Sequence, residues 1–226
     1  MVDWSFVLED ENCEELAPES CCLAAFYPLD GSGLDVSGNG NHGVVHGCTP
    51  SGDRNGLNDS AYTFDGSDDF IEIMSSESIV ASSDKLTLAC WLYIDGAEND
   101  GGVLYKGVPG MSRTFVLTYQ NGNAMSFSTT TNNGEVTLNG LDNVTQGEWH
   151  HIAAVYDGSF MYLYWDGAAI GETAQSGPLS WDEGAVQIGR YNGVTWQGWT
   201  YLPCIIDDVQ IYTRALAAGE IEVISR

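Results

Sequence analysis

The stretch DVSGNGNHG, Asp35 to Gly43, holds residues whose type and spacing suit a bound cation. Asp35, Ser37 and Asn39 stand at alternate positions and Gly40 follows. Calcium loops open in this way, with oxygen side chains converging where glycine permits a sharp turn. The bidentate glutamate expected at the twelfth loop position is absent, since His46 stands there. A calcium site therefore needs a carboxylate from elsewhere in the chain. Without one, the stretch reads as a Gly/Asn turn capped by its own aspartate.

A second group could recognise a ligand without reacting with it. Tyr191, Trp196, Trp199 and Tyr201 form an aromatic cluster, with Trp181 shortly before and Arg190, Asn192 and Gln197 interleaved. Aromatic faces stack on sugar rings, and the polar side chains would direct hydrogen bonds to ring hydroxyls. Equally, these aromatics would serve to pack the edge of a sandwich. For nucleophilic chemistry the chain shows no GxSxG elbow, and its histidines are His42, His46, His150 and His151.

The elements that must position these groups read as strands. From Cys22 onward, short runs of β-branched and aromatic residues are punctuated by Gly, Asn and Asp. The pattern predicts strands near 22–28, 43–46, 61–65, 69–73, 85–94, 101–105, 113–119, 123–129, 135–138, 148–156, 160–165, 168–171, 185–189 and 204–212, and one short helix over 215–223. In LTLACWLYI the residues Leu86, Leu88, Cys90, Leu92 and Ile94 share one face and Trp91 and Tyr93 the other, so one side is buried and the other partly covered. The Asp-Gly pairs in FDGSDDF, YDGSF and WDGAA read as hairpin turns, which gives Asp65, Asp157 and Asp166 a structural role. Residues 1–21 form an acidic arm and 22–226 one all-β domain, a two-sheet antiparallel β-sandwich.

Composition narrows the partners. Seven basic against 32 acidic residues give a formal charge of −25, which repels a phosphate backbone and excludes nucleic acid. No apolar run approaches the ~18 residues of a membrane span, so no membrane insertion is expected, and no basic residue precedes Arg54, so no signal peptide is expected within the chain as given. The six cysteines include no CxxC pair, which argues against zinc. In an oxidising compartment a bridge from Cys13 to Cys21 or Cys22 is expected, with Cys90 a small core residue.

Seven segments, in this order, resemble the LamG-like jelly-roll domains of the concanavalin A-like lectin and glucanase superfamily. They are AFYPLDGSGLDVSGNGNHG, AYTFDGSDDFIEI, KLTLACWLYID, GGVLYKG, GEWHHIAAVYDGSFMYLYWDGAAIG, VQIGR and IIDDVQIYTRALAAGEI, spanning about Ala24 to Ile224. The resemblance implies a concanavalin A-like jelly roll, found mostly outside cells or on their surface. It often serves as a non-catalytic module that binds glycans or proteins. It also implies that the first and last strands are neighbours, which makes Asp207, with Asp208 in reserve, the partner of the Asp35 loop in a structural calcium site. His150 and His151 match positions where histidine fills the sandwich and bonds to backbone. Cys204 and the aromatic approach RYNGVTWQGWTYLP depart from the family pattern.

Glucanases of this fold carry ExDxE on one strand, which places three carboxylates on one face. Here DDFIEI sets Asp69 and Glu72 on opposite faces, and IIDDVQI has adjacent aspartates and no glutamate. The expectation is a non-enzymatic recognition module for carbohydrate, with a cell-surface protein as the alternative ligand and glycoside hydrolysis as the less favoured third reading.

Overall fold

The computed structural model describes residues 22–80, 84–96, 100–120, 124–142, 144–192 and 199–226. The acidic arm, with Cys13 and Cys21, lies outside them. In chain order the first elements are β1 (Leu23–Tyr27), β2 (Gly43–His46), β3 (Thr49–Ser51), β4 (Ala61–Asp65), β5 (Phe70–Ile73), α1 (Glu77–Val80) and β6 (Leu86–Tyr93). There follow β7 (Gly101–Val108), β8 (Ser112–Gln120), β9 (Ala124–Thr131), β10 (Gly134–Asp142), β11 (Trp149–Tyr156) and β12 (Phe160–Trp165). The chain continues through β13 (Ala168–Ala174), β14 (Val186–Ile188), β15 (Arg190–Asn192), β16 (Trp199–Tyr201), β17 (Pro203–Tyr212) and α2 (Ala218–Ile224).

Two antiparallel sheets form the layers. One runs β13-β12-β11-β6-β17-β4-β3, and the other β10-β9-β8-β7-β14-β5-β2. The short pair β15-β16 stands apart from both. Strand β17 lies in the middle of the first sheet: β6 flanks one side, while β4 and then β1 share the other, with Cys204 opposite Phe64 and Phe26 opposite Gln210. The expected adjacency of first and last strands holds.

The alternation of β6 explains the layering. Leu86, Leu88, Cys90, Leu92 and Ile94 are buried in the core between the sheets, with Phe115, Leu117 and Phe127 from the second sheet, while Trp91 and Tyr93 on the opposite face are half-buried. Each fully buried side chain of this size contributes roughly 1.5–3 kcal/mol. The outer face of the first sheet is divided. At one end Ala89, Ala153, Val155 and Tyr212 are covered by Leu216 and by Ile221 of α2.

Several boundaries differ from the sequence expectation. FDGSDDF is no hairpin, since β4 belongs to the first sheet and β5 to the second, and its Asp-Gly turn carries the chain between layers. YDGSF and WDGAA do join paired strands. Strands β3, β15 and β16 and the single turn α1 were not expected. Helix α2 starts three residues late for a physical reason: Thr87 Oγ1 donates to the Arg214 carbonyl and accepts from the Leu216 amide, pinning that segment to the sheet. Glu220, held by Arg214, accepts from the Ala217 N–H and so begins the helix there.

Candidate functional site

The Asp35 loop is latched onto β1 by its own donors and acceptors. Asp35 is buried; Oδ1 accepts from the amides of Phe26 (3.0 Å) and Ser37 (2.9 Å), and Oδ2 from that of Asn41 (2.9 Å). Burial alone would raise this carboxyl, yet the amide donors more than offset it and hold it below the usual carboxylate value. Asn39 Nδ2 donates to the carbonyls of Leu23 and Ala24, and Ser37 Oγ to that of Ala24. Asn41 Nδ2 donates to Ala24 O and Ser78 Oγ, drawing α1 into the same knot.

This donor set does not fit the calcium cage expected of it. A cation needs oxygen lone pairs converging on an open centre. Here the Oδ1 lone pairs of Asp35 face two N–H groups, and Asn39 turns its NH2 toward the strand. Asp207, the expected fourth ligand, is committed elsewhere.

Asp207 and Asp208 do not point to opposite sides, as simple alternation would have it. A β-bulge interrupts the β17–β6 pairing between Asp207 and Gln210, and Asp208 takes the left-handed backbone (φ 49°). Both carboxylates then meet Arg54 Nη1, each at 2.8 Å. The Arg54 guanidinium lies over the Trp91 ring at 4.6 Å, and Trp91 in turn meets His151 edge-on at 5.4 Å. Burial first, then the charge of Asp208, pushes the Asp207 carboxyl up to about 7 despite Arg54. Burial drives His151 down to about 4, so its imidazole is neutral, and Nδ1 meets no hydrogen-bond partner among the described residues.

His150 also departs from the backbone role that the resemblance implied. It sits between the Thr145 hydroxyl (2.9 Å) and Asp166 Oδ2 (2.8 Å), while Asp166 Oδ1 accepts from the His151 amide. Asp65, Asp68 and Asp69 bring carboxylate oxygens within 4.8 Å of one another. Asp65 Oδ1 accepts from Ser67 and Asp68, and Asp69 Oδ2 from Asp65, so these bonds build the turn between layers.

The residues of the 190–201 segment divide. Arg190 is buried: Nε donates to Gln187 Oε1 (3.1 Å), Nη1 to the Tyr201 hydroxyl (3.5 Å), and the guanidinium stacks on Phe70 at 3.1 Å. Asn192 is buried as well and Tyr191 half-buried. Trp196 and Gln197 lie outside the described residues. Trp199 pairs with Asn192 through its backbone. The base of this segment is therefore structural, and Arg190 and Asn192 are not presented to a ligand as expected.

A row of side chains that no local motif announced, two of them aromatic, crosses one end of the first sheet's outer face. Trp149 pairs with Tyr93, Tyr93 with Ile205, Ile205 with Thr63 and Thr63 with Thr49, so one row of side chains spans β11, β6, β17, β4 and β3. Directly paired residues point to the same face. The rings of Trp149 and Tyr93 lie 5.8 Å apart and both residues are half-buried. Beside Tyr93 a hollow of about 220 Å³ opens, lined by Thr63, Phe64, Tyr93, Asp95, Pro203, Cys204 and Ile205. Its Pro203 wall abuts the turn at Gly66, where an added Cβ would lie 2.8 Å from the proline ring.

Known structures share this architecture. The receptor binding domain of botulinum neurotoxin C/D mosaic serotype superposes with a TM-score of 0.72 at 13% identity, over 91% of this chain and 51% of that one. Domain 4 of AbnA, a GH43 extracellular arabinanase from Geobacillus stearothermophilus solved with arabinotriose, gives 0.69 at 15% identity, over 90% of this chain and 98% of that one. The binding domain of Paraclostridial Mosquitocidal Protein 1 gives 0.68 at 16% identity, over 91% and 52%. The chain thus spans about half the length of the toxin domains and nearly all of the arabinanase domain. At these identities the likeness shows the fold alone. No curated protein matches the sequence. The family model Laminin_G_3 matches residues 65–222, from the turn that joins the two sheets to the C-terminal helix, and the chain belongs to this family of the concanavalin A-like lectin/glucanases superfamily.

Proposed function

We propose that this domain is a non-catalytic recognition module for carbohydrate and that it binds through the outer face of the sheet built around β17. The observation that carries the reading is the row Trp149–Tyr93–Ile205–Thr63 beside a hollow. Half-exposed rings fixed on neighbouring strands form a preorganised stacking surface, which loses little conformational freedom on binding. The match to nearly the whole of an arabinanase domain solved with arabinotriose supports the sugar reading, and that enzyme's extracellular setting supports a similar location here. Among the described residues no helix is long and apolar enough to cross a membrane.

The test is glycan binding by the whole chain, read by array and then by calorimetry. Trp149→Ala and Tyr93→Ala should retain the fold and weaken binding by about 1–3 kcal/mol for each ring that stacks fully, by analogy with stacking on nucleobases. Binding lost in Trp196→Ala and kept in Tyr93→Ala would move the site to the 190–201 segment. The similarity to toxin binding domains favours a second reading, a protein ligand on the same face. Capture of a protein receptor with no response to any glycan would select it.

A further inference from the structure

We infer that the hollow beside Tyr93 receives the terminal ring of an uncharged glycan end-on, rather than a stretch along the middle of a chain. The inference rests on the carbohydrate reading and adds the ligand's charge and mode of entry.

Size argues for one ring. The hollow measures about 220 Å³, short of the ~300–1,000 Å³ that encloses a drug-sized ligand. Its surroundings argue against a chain running along the strands. At one end the turn at Gly66 closes against Pro203. Along the strands from Tyr93, the next outward position on β6 is Trp91, and Arg54 covers that ring while clamped by Asp207 and Asp208. Beyond it Ala89 lies beneath the segment that carries α2. A polysaccharide laid along the strands would have to displace an arginine held by two carboxylates, whereas a terminal ring on Tyr93, with Trp149 beside it, leaves that arginine in place.

Charge decides the class. Among the lining side chains Asp95 brings the carboxylate, and Thr63 and Tyr93 bring hydroxyls. A carboxylate accepts strong hydrogen bonds from ring hydroxyls and repels another anion. Arg54, the nearby cation, already faces two aspartates, and the chain as a whole carries −25. Uronate, sialylated and sulfated termini would enter against this field.

The experiment uses the intact chain on an array of linear uncharged oligosaccharides. Each is presented with its terminal ring free, with that ring O-methylated, and with that ring sialylated. The expected result is binding to free termini only. Ile205→Trp, which fills the hollow, should weaken it at least 10-fold with an unchanged urea midpoint. Asp95→Ala, at an exposed position, provides a second variant should Ile205→Trp fold poorly, and should also weaken free-terminus binding. Equal binding to free and O-methylated termini would overturn end-on entry while leaving the carbohydrate reading intact. Equal binding to sialylated termini would overturn the charge assignment. Silence across every form of every glycan would overturn the carbohydrate reading itself.

Discussion

Replacing Asp35 should cost far more than replacing another loop aspartate, because its carboxylate holds three backbone amides at 2.9–3.0 Å. A hydrogen bond to a charged group contributes roughly 1.5–3 kcal/mol, and such terms add poorly when neighbours share an acceptor. Water can reach some of the freed amides, since Val36 and Asn39 beside them are exposed. We therefore expect Asp35→Ala to destabilise by about 3–4 kcal/mol, at the upper end of single substitutions. Asp35→Asn keeps an oxygen for Phe26 and Ser37 but turns an NH2 toward the Asn41 amide, and should cost about 1–2 kcal/mol. The assay is urea unfolding at pH 7, with Asp157→Ala, in a hairpin turn, as control. At an m-value of ~2–3 kcal/mol/M the alanine variant's midpoint should fall by about 1–2 M. The Asp35 carboxyl is depressed in the fold, so its contribution is complete above the unfolded value of ~3.9 and is lost as pH falls through the folded value. The gap between parent and Asp35→Asn should accordingly close at acid pH. Calcium and EDTA should give the same midpoint. A calcium-dependent rise that vanishes in Asp35→Ala would refute the amide latch and restore the cation, and a cost below about 1 kcal/mol would refute the energetics.

Other perturbations follow from the same geometry. Asp207, raised to about 7, holds a proton in the fold that the unfolded chain releases near 4, so it makes stability fall as pH rises between those values. Asp207→Asn should gain relative to the parent from pH 5 to pH 7.5, and a constant difference would mean that Asp207 does not titrate there. Gly102→Ala places a Cβ 2.3 Å from the Arg190 carbonyl carbon, a backbone atom that cannot swing aside, and should cost more than about 3 kcal/mol; a change within ~0.5 kcal/mol in urea would contradict the contact. Lys106 is fully buried, and its ammonium donates to the carbonyls of Asp182 and Gly184 and to Ser75 Oγ. Lys106→Met should cost about 2–4 kcal/mol by leaving those acceptors unpaired, and a neutral result would show that water replaces the ammonium.

Where local chemistry decides, the sequence is readable. Alternation along LTLACWLYI identifies which side of β6 faces the core, and Asp-Gly at 157–158 and 166–167 marks hairpins, because both depend on neighbours in sequence. The Asp-Gly at 65–66 uses the same turn chemistry to change layers, because β5 pairs with β2 and β14 in the second sheet rather than with β4. The bulge at Asp208 has no local signature: neither Gly nor Asn marks it, and it appears once β17 is paired with β6. The oxygen donors at Asp35, Ser37 and Asn39 are visible in sequence. Their orientation depends on β1, which supplies the amide of Phe26 and the carbonyls of Leu23 and Ala24. The row from Trp149 to Thr63 gathers residues from four strands far apart in the chain, so it exists only as a matter of register.

The central place of β17 has a consequence for biosynthesis. Translation delivers this strand after every other, yet it must enter between β6 and β4 and also receive β1. Until it emerges, the nascent chain carries an empty slot with two unpaired strand borders, the kind of exposed template that invites pairing with another polypeptide. The sheet closes by insertion rather than by extension, and every contact made in doing so spans a long loop, which slows the search. A premature stop ahead of Pro203 would remove the keystone of the sheet, with the wall of the hollow at Ile205 and both carboxylates that hold Arg54, leaving the β13-β12-β11-β6 group and the β4-β3 pair with no strand in common and β1 without its partner strand.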